Sequence, residues 1–348
     1  MFSFIKKIWR IEQWWSHILP PILLFYYIGL FSGNISKINV LVNALFLILL
    51  SIITGITGYY INDLFDIKDD LKANKKNHIA GFPLWLRITV IPIIFLFITL
   101  LFYTFHSYLN ASQITYYLIC VILNIFTFFI YSSPPIRFKK VMYISTITDA
   151  LYSGTFFYLL AYIIASNISD ITILNKENRI IFLVIICWGF LKGIRNHLSH
   201  LCEDELNDKQ SGITTLATHF GSQKIQTIAN LFFPLELICL LIIQLILVKP
   251  YAISIIFTFL FFILWLKFIL KNKNSKQEAL NDLHEVWLPI IILIQLIIIK
   301  QDLYYLVILH FIFFPYHISK IYFTIKNCIF KLLNKKPVSI IELFHEKK

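Results

Sequence analysis

Charge is scarce in this chain. Only 14% of its 348 residues are Asp, Glu, Lys or Arg, while 58% are hydrophobic and the mean hydropathy is +0.74. That leaves too little polar surface to coat a soluble globule, which excludes an ordinary water-soluble enzyme and points to an integral membrane protein. Cysteine is equally sparse. Cys120, Cys187, Cys202, Cys239 and Cys328 stand far apart, mostly in apolar runs and never as CxxC, which excludes a disulfide framework or a thiolate zinc site. No internal period and no Gly/Ser linker divide the chain. No small-residue cleavage site follows the basic, aromatic lead-in that carries Lys6, Lys7 and Arg10, so the first 15 residues read as an amphipathic lead-in helix rather than a removable signal peptide.

Long apolar runs, by contrast, fill the sequence. They lie near 16–32, 37–61, 84–106, 113–131, 145–166, 178–200, 225–248, 251–271, 285–300 and 303–318. Most reach the roughly 17 to 25 residues of a spanning helix; the last two are shorter and could instead form a re-entrant hairpin. The expected fold is an all-α, polytopic membrane helix bundle.

The net charge of +12 would suggest nucleic acid in a soluble protein, but here its distribution along the runs matters more. Alternate ends collect clusters such as Lys6, Lys7 and Arg10, then Lys68, Lys72, Lys75, Lys76 and Arg87, then Arg137, Lys139 and Lys140. The same ends later gather Lys192, Arg195, Lys209 and Lys224, then Lys267 and Lys271. The opposite ends hold only Lys37, Lys176, Arg179, Lys249 and Lys300. The positive-inside rule therefore puts the N-terminus in the cytoplasm, at the cell inner membrane if the source is bacterial. A basic tail after 318, with apolar residues at helical spacing, belongs on the same side; that requires an even number of crossings and favours ten.

Two acidic strings end two of these runs on that same side. Asn62, Asp63, Asp66 and Asp70 form NDxxDxxxD, and Asp204 and Asp208 form DxxxD. Residues four apart share a helix face, so Asn62, Asp66 and Asp70 line up, as do Asp204 and Asp208. Two such faces meeting would gather about five carboxylates, an arrangement that needs cations between them. Oxygen-only ligands without a His/Cys pattern select a hard ion, Mg²⁺ before Zn²⁺, and Mg²⁺ held by a few carboxylates keeps positions open for a substrate phosphate. A diphosphate bridging the strings is the natural ligand. Either string alone could be an ordinary solvated helix end; both together on one membrane face are harder to explain that way.

Cations that could hold a departing diphosphate lie nearby: Lys75 and Lys76 after the first string, Arg137 and Lys139 in YSSPPIRFKK, and Lys209 after the second. Each is also explained as a positive-inside anchor. His200, one turn before Asp204, and its neighbour Glu203 could orient a metal-bound carboxylate or an acceptor. Gly212, Thr214 and Thr215 read as a helix stop and restart. Asp149 and Glu236 lie within apolar runs, where ionisable groups are functional by default; Asp149 is placed to face the same cavity, and Glu236 to hydrogen-bond within the bundle.

These residues resemble the UbiA superfamily of intramembrane prenyltransferases. The first motif is matched by Asn62, Asp63, Asp66 and Asp70, and the second by Asp204, Asp208 and the following Gly212. The likeness extends to the Trp15 to Pro21 stretch before the first span and to the YSSPP turn at 131–135 with Arg137 and Lys139, and covers roughly 10–270. It implies nine transmembrane helices around a central cavity open to the cytoplasm, where Mg²⁺ bridges the acids and an isoprenoid diphosphate. The combined expectation is nine to ten helices, divided as a prenyltransferase-like region over 1–280 and a C-terminal helical extension with a basic tail over 281–348. One departure follows the first motif: many members carry Lys-x-Arg-Pro where this chain has Lys75, Lys76, Asn77 and His78. Loss of that arginine removes a directional diphosphate anchor, for which Lys75 or Lys76 would be a less directional substitute.

The implied reaction is Mg²⁺-dependent transfer of a prenyl group to an aromatic or lipophilic acceptor, with Asp63, Asp66, Asp204 and Asp208 as catalytic acids. Those four and Asp70 are the expected metal ligands, and Asn62, Lys75, Lys76, Arg137, Lys139 and Lys209 the diphosphate contacts. The expected partners are an isoprenoid diphosphate, the acceptor and membrane lipids, with no nucleic acid. Three other readings compete. Another diphosphate donor, such as phosphoribosyl diphosphate, would use the same acids. A CDP-alcohol phosphotransferase also pairs aspartates, but its Asp-Gly opening is missing near 63 and 204. A cation-coupled transporter would use intramembrane acids too, though no inverted repeat is visible, and intact acids at every motif position argue against a non-catalytic lipid binder. Acceptor identity and prenyl chain length are not written in the motifs.

Overall fold

The computed structural model describes residues 15–32, 36–72, 77–109, 111–166, 176–210, 212, 214–247 and 281–332, and every regular element among them is a helix. In chain order these are α1 (Leu19–Ser32), α2 (Lys37–Lys72), α3 (Leu84–Phe105), α4 (Ala111–Ser132) and a 3-10 turn (Phe138–Lys140). Next come α5 (Met142–Ala150), a π-helical turn (Leu151–Thr155), α6 (Phe156–Ser166), α7 (Lys176–Gln210), α8 (Leu216–Phe220) and α9 (Ser222–Leu247). A second π-helical turn (Leu283–Trp287) leads into α10 (Leu288–Ile299), followed by a 3-10 turn (Gln301–Leu303), α11 (Tyr305–Phe313) and α12 (Pro315–Leu332).

Six of these helices are long and apolar enough to cross a membrane: α2, α3, α4, the α5–α6 unit over Met142–Ser166, α7 and α9. The α11 and α12 pair, bent by 91°, makes a seventh if taken as one broken span. Helices over Leu19–Ser32 and Leu283–Ile299 are apolar but shorter. The expected nine to ten crossings are therefore not reached among the described residues. The run at 251–271 and the lead-in before Trp15 lie outside them. The run at 303–318 is not one helix, because Pro315 pushes the residue before it out of the helical region. Phe314 sits at φ −127, ψ 64, and Pro315, which has no N–H to satisfy, starts the next helix.

α1 is buried at every position from Leu19 to Leu30. A helix apolar all round belongs inside a bundle, and Pro20 and Pro21 cost it little, since first-turn N–H groups have no intrahelical partner. Gly29 brings α1 against α6: a Cβ there would meet the Ala165 Cβ at 2.6 Å and the Tyr162 carbonyl at 2.8 Å. α7 crosses α5 equally closely, since a Cβ on Gly193 would stand 2.5 Å from the Ala150 Cα. Small residues at such crossings are how helices approach without a hydrophobic drive between them.

α2 and α7, with 36 and 35 residues, are the longest helices. At about 1.5 Å per residue each exceeds 50 Å, well beyond a hydrocarbon core of about 30 Å. Their C-terminal turns overshoot the apolar slab. Both acidic strings ride on those turns.

Candidate active site

Because α2 runs unbroken to Lys72, the first acidic string keeps its four-residue spacing. Asp63 is buried, and Asp66 nearly so, with 13% of its side chain exposed. The Asn62 Oδ1 accepts a hydrogen bond from the Ser132 hydroxyl at 3.2 Å and a longer one from the Lys139 ammonium at 3.5 Å. The Asn77 amide donates to the Asp63 carbonyl at 2.7 Å and to Asp70 Oδ2 at 2.8 Å, folding the segment after α2 back onto the acids. Lys75 and Lys76 lie outside the described residues. Asn77, from the stretch that departs from the Lys-x-Arg-Pro pattern, does the anchoring that is visible.

The loop between α4 and α5 supplies the cations. The Arg137 N–H donates to the Ser133 carbonyl at 2.9 Å, and the Lys140 N–H to that of Arg137 at 3.0 Å, so the chain turns twice within eight residues. Arg137 itself sits at φ 45, a left-handed conformation that costs a residue with a Cβ on the order of 1 kcal/mol and that concentrates at functional sites. The turn aims its guanidinium at α2. Nη2 lies 2.8 Å from Asp66 Oδ1 and 2.7 Å from Asp69 Oδ2, and Lys139 Nζ is in direct contact with Asp66 Oδ1. Lys140 adds a looser contact with Asp69 at 3.4 Å. Burial pushes the Lys139 ammonium below the usual lysine range, and Asp66 opposes that shift.

Asp149, on α5, gathers a second group of polar side chains. Tyr152, on the π-helical turn after α5, donates a short hydrogen bond to Asp149 Oδ1. His197 Nδ1 stands 3.5 Å from Asp149 Oδ2, while its Nε2 is buried without a partner. Phe128 packs tilted against Tyr152 and Tyr131 meets it edge to face, with ring centres 4.3 and 5.1 Å apart, giving the pocket aromatic walls. π turns often mark functional positions in helices.

Asp208 is buried, whereas Asp204 is exposed one turn earlier. α7 stops at Gln210, Gly212 takes a positive φ of 68, and Thr215 caps α8 reciprocally with Thr218, the stop and restart expected from SGITTLATHFG. Three expected participants do not join the pocket. His200 and Glu203 stand outward at 75% and 69% side-chain exposure, 3.6 Å from each other, because they lie on the solvent face of the overshooting turns. Lys209 turns to Glu205 at 2.7 Å, its i−4 neighbour.

Asp69, Asn77, Tyr131, Tyr152 and His197 were not singled out from the sequence. Asp69 lay in the acidic string but off the i, i+4 row. His197 could have been found as the residue eleven before Asp208, about three turns back on the same face.

Among the described residues no three carboxylate or imidazole side chains stand together at metal-ligand spacing. The donor set nonetheless suits a hard divalent ion: it is all oxygen, with Asp63 and Asp208 buried and Asp66 nearly so. Mg²⁺ is ordinarily held by one or two carboxylates plus phosphate oxygens rather than by an all-protein cage, so the residues fit.

The UbiA prenyltransferase family model matches residues 22–288. No curated protein matches the sequence. A structure of a UbiA homolog from Archaeoglobus fulgidus bound to GPP and Mg²⁺ is similar at TM-score 0.54 and 18% identity, over 84% of this chain and 96% of that one. Another structure of a UbiA homolog from Archaeoglobus fulgidus gives TM-score 0.52 at 16% identity, over 84% and 96%. A digeranylgeranylglyceryl phosphate synthase structure gives TM-score 0.53 at 17% identity, over 85% and 97%. At these identities the likeness is one of fold.

Proposed function

The chain belongs to the UbiA prenyltransferase family, and on that premise we propose that it transfers a prenyl group from an isoprenoid diphosphate to a lipophilic acceptor inside the membrane. The observation that carries this reading is the convergence of Arg137 and Lys139 on Asp66. Cations already turned toward the acids of the first motif are what a diphosphate and its counter-ions require.

Asp63, Asp66, Asp70 and Asp208 would hold Mg²⁺, with the exposed Asp204 reaching in from the rim. The ion supplies charge neutralisation to a leaving diphosphate. In this reading the allylic C–O bond breaks heterolytically and its electron pair departs on the diphosphate oxygen. Arg137 and Lys139 then turn from Asp66 to the phosphate oxygens, Arg137 in a two-pronged contact. The rings of Tyr131, Tyr152 and Phe128 flank the allylic cation and exclude water from it. The acceptor's nucleophilic atom bonds to the cation, and its proton passes to Asp149 Oδ2, which His197 backs at 3.5 Å. Both motifs face the cytoplasm, a placement supported by the basic residues gathered at their end of the helices. The chain from 281 on would form a C-terminal helical extension, and its α11 packs on the bundle, with the Tyr27 hydroxyl 3.1 Å from His310 Nδ1 and the Trp15 indole donating to the Phe313 carbonyl at 3.0 Å.

The test is diphosphate release by purified full-length protein from labelled isoprenoid diphosphates of several chain lengths, with Mg²⁺ and with a chelator. Release that depends on Mg²⁺, followed by labelled product when host membrane extract is added, supports the reading. Absence of release with every donor refutes it.

A further inference from the structure

The face of α2 that carries the first motif continues below it with a gap. Asp66, Asn62 and Gly58 stand at four-residue intervals, so one row of the helix passes from a carboxylate to an amide to a residue without a side chain. Gly58 is buried, and a ring from α4 takes the space a side chain would fill. A Cβ on Gly58 would meet Phe128 Cε1 at 2.3 Å, Cζ at 2.4 Å and Cδ1 at 2.8 Å. Ser132, one turn further along α4, donates to Asn62 at 3.2 Å, so Phe128 lies one turn below a contact with the motif.

The ring is held from its other side as well. Tyr152 packs against it with ring centres 4.3 Å apart, and Tyr152 is itself fixed, its hydroxyl by Asp149 and its carbonyl by the Asn124 amide at 2.9 Å. Phe128 is half-buried, and its open surface faces the bundle rather than lipid. Asn124 and Ser132, one turn to either side on the same row, are buried, whereas Ile122, Phe126 and Phe129 make up the exposed side of α4. Beneath Phe128 the α2 row goes on with Thr54, a small side chain whose hydroxyl donates to the Leu50 carbonyl at 2.8 Å. Along this wall, then, the bulky group is a ring borrowed from the neighbouring helix.

An apolar chain whose diphosphate sits at the acids has to run away from the aqueous end, down this wall. Asp66 stands two turns above Gly58, about 12 Å of helix axis. An isoprene unit, four carbon–carbon bonds of about 1.5 Å in a zigzag, covers about 5 Å. We infer that Phe128, seated in the Gly58 notch, is the floor of the prenyl pocket and limits the donor to about two isoprene units. The inference rests on the prenyl-transfer reading of the site. Such a floor can be moved in both directions: removing the ring deepens the pocket toward Thr54, and filling the notch pushes the ring into the pocket.

The experiment measures kcat/KM of diphosphate release by the full-length protein, with host membrane extract supplying the acceptor, for geranyl, farnesyl and geranylgeranyl diphosphates. Wild type should favour the geranyl over the geranylgeranyl donor by about 10-fold or more. Phe128→Ala should shift that ratio toward the longer donor by about 10-fold, and Gly58→Ala should shift it the other way. In the double variant the new Cβ meets no ring, so the effect of Gly58→Ala should vanish. A ring that only supported the fold would lower the rate for every donor alike and leave the ratio where it was. Should Phe128→Ala fail to accumulate, Phe128→Leu, smaller but still apolar, should give a weaker shift in the same direction. Equal use of the three donors by wild type, or an unchanged ratio in the Phe128 variants, overturns the inference. Failure here is separable from failure of prenyl transfer: the one is release indifferent to chain length, the other no release from any donor.

Discussion

Arg137 reaches from the α4–α5 loop back to Asp66, placing Nη2 2.8 Å from Oδ1, and the same nitrogen touches Asp69 at 2.7 Å. A guanidinium shared by two acids, one of them in the metal-binding motif, can leave either without losing its other anchor. That suits a group that must swing to a phosphate and return. The pair is also partly buried, with side chains 15% and 13% exposed, so solvent screens it less than a surface bridge.

Replacing Arg137 by Lys should therefore not be conservative. A lysine keeps the charge but loses the fork, and it has to adopt the left-handed backbone that Arg137 holds at φ 45. Diphosphate release should fall by about 10² in kcat/KM for Arg137→Lys and by more for Arg137→Ala, a loss of roughly 3 kcal/mol in transition-state stabilisation. Steady-state kinetics on labelled donor checks it; a variant within a few-fold of wild type would remove Arg137 from the diphosphate site.

The second motif should divide by burial. Asp204 is exposed and Asp208 is buried, so Asp204→Ala is expected to abolish turnover while leaving the protein folded. Asp208→Ala should abolish turnover and shift thermal unfolding as well, because it alters a packed position. Parallel measurement of diphosphate release and detergent-phase melting separates the two. Full activity in Asp204→Ala would refute its assignment.

Much of this site was legible in the sequence for a physical reason. Acids four apart at the end of an apolar run define a face before any fold is known, and Asp66 on that face meets Arg137 and Lys139, two cations that the sequence had also put forward. What could not be read was which of two equally polar neighbours turns inward. His200 was singled out and stands outward, whereas His197, three residues earlier, faces Asp149. Helical phase near a helix end depends on what the opposite helix presents, and that is tertiary information. The broken run at 303–318 was misread for the opposite reason. Its hydropathy is continuous, and only Pro315 marks the 91° bend.

Glu236 should prove a structural keystone rather than a catalytic acid. It joins three separate elements, meeting Arg195 of α7 and His284 of the π turn before α10 from its own place on α9, and it is fully buried. Glu236→Ala would leave the Arg195 guanidinium buried without a counter-charge, a change that typically costs about 3 to 5 kcal/mol. Glu236→Gln, which keeps an acceptor, should cost less. Detergent-phase melting of both variants tests the ordering; equal stability of all three proteins would show the pair to be dispensable.

The contact between His17 and Glu285 should make stability depend on pH in a particular direction. It ties the turn before α1 to the π turn before α10 at 2.7 Å, and the hydrogen bond that the ring donates to the Glu285 carboxylate raises the imidazole above its ordinary value of 6.5. A raised folded-state value means that below about 6.5 the ring is protonated folded or unfolded and the contribution is complete; it is lost as pH rises through the raised value. His17 is 53% exposed, which limits the contribution to less than about 1 kcal/mol. The melting temperature of the wild type should thus fall gently from mildly acidic to mildly alkaline pH relative to His17→Gln, whose profile lacks this titration. A difference between the two proteins that stays constant with pH would mean that the contact is held without the proton.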